Sequence, residues 1–279
     1  MTIDPITFTL VLALAALSGA LGSAVGMAGG VFLVPVLTIV GGVPWETAVA
    51  VSLFSVVASS SAAAPAALAA GLPNLRLAVT LEVATVLGSL GGIALLGLVH
   101  ERILYGVFAA VLIVSAVQVL KRRHARTETA SRGRDWGARL RLNSTFRDDG
   151  DVRSYVVRRV PTGLTVMFGA GTLSALLGIG SGVLKIPAMD MTLGLPIKVS
   201  SATANLMIGV TGCGTALAFL LRGTVTPLLA ASAVLGSVVG SMFGARLLVR
   251  VPASILRTAM VVVLAVLAVP MTAFAFVAA

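Results

Sequence analysis

Two charged residues stand in stretches that otherwise hold almost none: Lys185, three positions beyond Gly182, and Glu82, inside the apolar run Leu75–Val99. A lysine at membrane depth costs roughly 2.5–3.5 kcal/mol on insertion scales, so it ordinarily faces a cavity, a partner or a substrate. Lys185 reads as an anion-attracting charge, and Glu82 as its ion-pair partner or as a proton-coupling carboxylate. The competing reading has Lys185 reaching to an interface and Glu82 capping a wet helix start, since Arg76 lies only six residues earlier.

Lys185 follows one of two matched glycine clusters. Gly26-Met27-Ala28-Gly29-Gly30-Val31-Phe32-Leu33-Val34-Pro35 returns 152 positions on as Gly178-Ile179-Gly180-Ser181-Gly182-Val183-Leu184-Lys185-Ile186-Pro187. Glycines relax the backbone restrictions, and a helix beginning after such a break presents unpaired N–H groups and a positive dipole end. Gly29, Gly30, Gly180, Ser181 and Gly182 are therefore candidate contacts for an anion. Tight helix crossing is the alternative role of the same glycines. Beyond each cluster the next helix carries further donors: Ser52 in the first half, and Ser200, Ser201, Thr203 and Asn205 in the second, with Ser59-Ser60-Ser61 deeper in the first. Such donors suit an oxyanion, which presents several acceptors; Ser and Thr also bond back to their own helix, so Thr203 and Asn205 carry the stronger expectation. Asp190 and Lys198 flank the turn Gly194-Leu195-Pro196 and read as surface residues.

Composition bounds what can position these groups. Mean hydropathy is +1.06, with 58% apolar and 11% charged residues, against about 25% charged in ordinary soluble domains. This is a polytopic membrane chain. Runs long enough to span lie near Ile6–Val25, Trp45–Ala70, Leu75–Val99, Ile103–Leu120, Leu164–Leu177, Ile197–Leu221, Val225–Val249 and Ile255–Val277, while Val31–Val40 and Val183–Leu193 are too short to cross unaided. Cys213 is the one cysteine and His100 and His124 are the two histidines, so neither a disulfide nor a metal site is expected. No cofactor motif is present: Gly178-x-Gly180-x-Gly182 lacks the strand and βαβ unit that a dinucleotide loop needs.

The same 152-residue shift carries Gly42 onto Gly194, Pro44 onto Pro196, Gly71 onto Gly223, Gly88-Ser89 onto Gly240-Ser241 and Gly92 onto Gly244. Three divisions follow: a first membrane repeat over 1–120, a basic linker over 121–160 and a second repeat over 161–279. The net charge of +10 is concentrated in the linker. That places it on the cytoplasmic side of a bacterial cell membrane by the positive-inside rule, where an anionic lipid surface satisfies its charge and no nucleic acid is expected as partner. Both termini lack Lys and Arg, which favours termini outside, an odd number of crossings per half and inverted repeats. The expected fold is all-α, two inverted five-helix repeats with broken or re-entrant helices at the glycine clusters. Gly88/Gly92 and Gly236/Gly240/Gly244 have the one-turn spacing that lets helix backbones approach.

The doubled Gly26–Pro35 and Gly178–Pro187 clusters, each followed by a Gly-x-Pro turn, resemble the TauE/SafE family of sulfite exporters and related anion permeases. So do Asn74-Leu75-Arg76-Leu77 leading to Leu81-Glu82, and the run Lys198 to Thr211. Ala28 and Ser181 depart from the usual glycine triplet, and the long Arg-rich linker is also unusual for that pattern. The resemblance implies a secondary carrier moving sulfite, organosulfonates or similar sulfur-containing anions across the bilayer without ATP hydrolysis, with a coupled proton or cation where uptake requires one. It is not expected to be an enzyme. A homodimer is among the assemblies left open. Two other readings compete: an intramembrane lipid-pyrophosphate phosphatase recruiting Glu46, Ser59-Ser60-Ser61 and Arg222, and a cation or drug transporter, which would want more carboxylates than this chain offers.

Overall fold

The computed structural model describes residues 5–27, 29–95, 98–121, 136–148, 151–178 and 180–277. Ala28, Ile179 and the arginine-dense stretch 122–135 lie outside them. The first half holds α1 (Pro5–Val25), α2 (Gly30–Pro35), α3 (Trp45–Ala69), α4 (Leu75–Leu95) and α5 (Glu101–Lys121). The linker contributes α6 (Trp136–Arg139) and the strands β1 (Ser144–Asp148) and β2 (Asp151–Tyr155). The second half holds α7 (Val160–Leu177), α8 (Gly182–Ala188), α9 (Ile197–Leu221), α10 (Pro227–Arg250) and α11 (Ala253–Val277). Among the described residues α1, α3, α4, α7, α9 and α10 are long and apolar enough to cross a membrane. The fold is that of an all-α polytopic membrane protein.

Local chemistry sets the boundaries, and it does so twice. Pro44 and Pro196, both extended with ψ of 142° and 143°, precede α3 and α9. Gly71 and Gly223, at φ +65° and +71°, follow their ends in the left-handed conformation that commonly closes a helix. Pro35 and Pro187 sit inside the short helices, where a missing N–H loosens the ladder. Each short helix then passes into a π-helical turn, Val36–Val40 and Met189–Leu193.

Each short helix doubles back along the long one before it. The Ser18 hydroxyl on α1 donates to the Gly29 carbonyl, while Val11 and Leu37 share one apolar cluster. In the second half the Arg158 N–H donates to the Leu193 carbonyl at 3.0 Å, returning the π-helical turn to the start of α7. A helical hairpin therefore opens each half.

Contacts between the halves interchange under the 152-residue shift. A methyl group on Gly240 or Gly244 would meet the carbonyls of Ala16 or Ala20, and one on Gly88 or Gly92 would meet those of Phe168 or Thr172. Absent Cβ atoms thus let α10 lie on α1, and α4 on α7, at backbone contact. α3 and α9, themselves counterparts, pack against each other in opposite directions: Val57 lies against Gly212, Ser60 against Gly209, and the Asn74 N–H after α3 reaches the Thr203 hydroxyl near the start of α9 at 3.1 Å.

The linker is not shapeless. β1 and β2 pair antiparallel, Ser144 opposite Tyr155 and Asp148 opposite Asp151. The Asn74 side-chain amide donates to the Leu142 carbonyl at 2.7 Å and to the Tyr155 hydroxyl at 3.0 Å, fastening the hairpin to the α3–α4 turn. Burial pushes the Tyr155 phenol above its ordinary range and the Asn74 bond opposes the shift, so at neutral pH it stays protonated.

Candidate functional site

The two glycine breaks come together at the centre of the molecule. A methyl on Gly30 would meet Val56, the Ser52 hydroxyl and the Gly178 carbonyl; one on Gly182 would meet Ile208 and the Met27 backbone. Gly26 abuts Ser201, and its counterpart Gly178 abuts Val49. The Ser52 hydroxyl lies 2.9 Å from the Gly178 carbonyl and 3.1 Å from that of Gly30, and its single proton serves both. The start of α2 is therefore tied to the end of α7. Ser181 is fully buried at φ +57° and donates to the Gly180 carbonyl at 2.7 Å; a left-handed serine is uncommon and marks a backbone held there by its surroundings.

Several polar atoms facing this centre have no protein partner. Ser201 and Asn205, four residues apart, share the face of α9 turned to Gly26. The Ser201 hydroxyl and both polar atoms of the Asn205 side chain are buried and unbonded, as are the hydroxyls of Ser23, Ser115 and Ser200 elsewhere on α1, α5 and α9. Leaving such a group unsatisfied costs about 1–3 kcal/mol, so several in one region are a standing demand for a polar ligand. Asn205 contributes its backbone to packing instead: its carbonyl accepts from Ser60.

Beside the second break lies a charged cluster drawn from α4, α8 and α9. Lys185 is fully buried. Its ammonium donates to Glu82 Oε2 at 3.2 Å and to Thr211 Oγ1 at 2.7 Å, and the Thr211 hydroxyl donates to Glu82 Oε1. Lys185 and Glu82 are thus an ion pair. Thr211, one turn beyond Ile208, escaped sequence reasoning because a threonine that also bonds the Met207 carbonyl at 3.1 Å has an ordinary role in any helix.

Other expectations land elsewhere. Thr203, two residues from both Ser201 and Asn205, points to the opposite face of α9, where its hydroxyl accepts the Asn74 N–H. Gly29 serves the first break through its carbonyl, the acceptor for Ser18. Asp190 and Lys198, expected at the surface, are 5% and 4% exposed, because the returning π-helical turn lies against α7 and brings their turn inside. Glu46 and Arg222 are both exposed, at the start of α3 and beyond the end of α9, and make no common site with the buried Ser59.

Paired broken helices that meet, with unsatisfied polar groups where they do, are features that membrane carriers share. The family model described as sulfite exporter TauE/SafE matches residues 11–271. The chain belongs to this family and is a multi-pass membrane transporter. It is 24% identical over 249 residues to the probable membrane transporter protein YunE of Bacillus subtilis (strain 168), a match covering 86% of this chain and 88% of that protein. No solved structure matches it.

Proposed function

We propose that the protein is a secondary carrier of a small sulfur-containing oxyanion, sulfite or an organosulfonate, across the bacterial cytoplasmic membrane. The observation that carries this reading is the buried junction of the two breaks, where the side chains of Ser201 and Asn205 lack protein partners. Gly29, Gly30, Gly180, Ser181 and Gly182 line the junction with backbone, Ser52 bridges it, and Lys185 supplies positive charge. Thr203 acts at one remove, by setting α9 against the α3–α4 turn. With the central side chains closed off, this arrangement corresponds to an occluded state. Rocking of one repeat against the other would expose the junction alternately to each side.

An inverted arrangement of the repeats, 1–120 and 161–279, is supported by the antiparallel contact of α3 with its counterpart α9. A twofold axis along the membrane normal would leave counterpart helices parallel, whereas one in the membrane plane reverses them. The linker, on the side where α3 ends, would then be cytoplasmic and both termini outside.

The test is a thermal-shift screen of the purified protein in detergent against sulfite, sulfate, thiosulfate, sulfoacetate, taurine and phosphate. Stabilisation by a sulfur oxyanion, lost in Ser201→Ala, is expected; at 100 times Kd it corresponds to about 2.7 kcal/mol. A protein stabilised only by phosphate, or by none of the six, is not the carrier described here.

A further inference from the structure

The charged cluster breaks the molecule's internal symmetry. Under the 152-residue shift Glu82 falls on Val234, Lys185 on Leu33 and Thr211 on Ser59. The other half therefore builds the same crossing with valine, leucine and a serine bonded to the Val56 carbonyl of its own helix at 3.0 Å. Burying an ion pair seldom stabilises a protein more than apolar residues of similar size would. This fold demonstrates the apolar solution in its other half, so the pair serves something besides stability.

Its geometry indicates what. Both oxygens of the Glu82 carboxylate are held, one by Lys185 and one by Thr211, which is what two adjacent oxygens of a sulfite or sulfonate would ask for. Glu82 occupies the Lys185 ammonium as an oxyanion would. A further negative charge brought to the neutral pair would be buried without compensation, at prohibitive cost. It becomes affordable when Glu82 is neutralised. Glu82 keeps 11% of its side chain accessible and Lys185 none, so the carboxylate is the less enclosed member of the pair. Of the elements around the pair, α7 carries no ionisable side chain, and α5 carries only the Tyr105 phenol between Ile103 and Leu120. α9 carries Lys198 in its first turn and Cys213, α4 the exposed Arg76, and the turn after α8 the Asp190 carboxylate; Tyr105, Lys198 and Asp190 engage partners.

Resting on the transport reading above, we infer that Glu82 is a tethered substitute for the transported anion. A proton from solvent adds to a Glu82 carboxylate oxygen, the ion pair with Lys185 breaks, and a monovalent oxyanion takes the released ammonium and Thr211 hydroxyl. The site holds zero net charge before and after, so one proton accompanies each monovalent anion and the membrane potential does no work on the loaded carrier.

The test uses the full chain in liposomes containing a pH-sensitive dye, with sulfite and with methanesulfonate, a permanent monoanion that brings no proton of its own. Methanesulfonate entry is expected to acidify the lumen, and a gradient of one pH unit to concentrate it about tenfold at one-to-one coupling, with an imposed potassium diffusion potential changing neither. Glu82→Gln is expected to abolish the acidification and make any remaining anion flux follow the potential. Glu82→Val with Lys185→Leu copies the other half; it is expected to fold and to lose pH-driven uptake. Wild-type anion flux without proton movement, or flux that tracks the potential, overturns the inference and leaves the transport reading in place. Flux of neither anion counts against that reading, and the inference falls with it.

Discussion

Asn205 is buried with an amide that no protein group satisfies, and that combination separates stability from function at a single residue. Replacing both polar atoms with an apolar group of similar size should remove a penalty of about 1–3 kcal/mol. Asn205→Leu is therefore expected to melt at or above the temperature of the wild type in detergent while losing the stabilisation by sulfite. A variant that melts lower and keeps the anion response would show that the side chain has only a packing role. The two rare charges were legible in the sequence because Lys and Glu at membrane depth demand partners; Thr211 was not, since its type carries no such demand. Which face of α9 Thr203 and Ser201 occupy was hidden for another reason. Residue types identify donors, but only the rotation of α9 about its axis decides which of them faces Gly26, and Gly26 approaches from a different part of the chain.

At the level of elements, glycine positions divide sharply by what lies opposite. Gly88 and Gly92 on α4 have the Phe168 and Thr172 carbonyls where a Cβ would stand, whereas Gly91 on the same helix faces open space. Gly88→Ala is expected to destabilise the folded protein by about 1–3 kcal/mol through overpacking, and Gly91→Ala to be neutral or to stabilise it by up to about 1 kcal/mol through helix propensity. Melting curves of the two variants side by side would check this, and equal effects would contradict the backbone contact. These crossings were readable from one-turn glycine spacing, and the broken helices from the repeated clusters. The linker hairpin was hidden. Arg147, Asp148, Asp149, Asp151 and Arg153 read as a solvated charge run, and the docking that orders its flanks depends on Asn74, far away in the chain.

For the whole molecule, an inverted arrangement would make equivalent positions report from opposite sides of the membrane. Ala70 and Arg222 are counterparts, one residue beyond α3 and α9. With Cys213 changed to serine, Arg222→Cys is expected to react with an impermeant maleimide on intact cells, and Ala70→Cys only after the membrane is opened. Labelling of both from one side would mean parallel halves. Ser52 adds a last point, because its single hydroxyl joins the first break to the end of the helix leading into the second. In the carrier reading, opening the junction toward either side would break that stitch. Cargo would then cross in single parcels, at a pace set by how often the stitch parts.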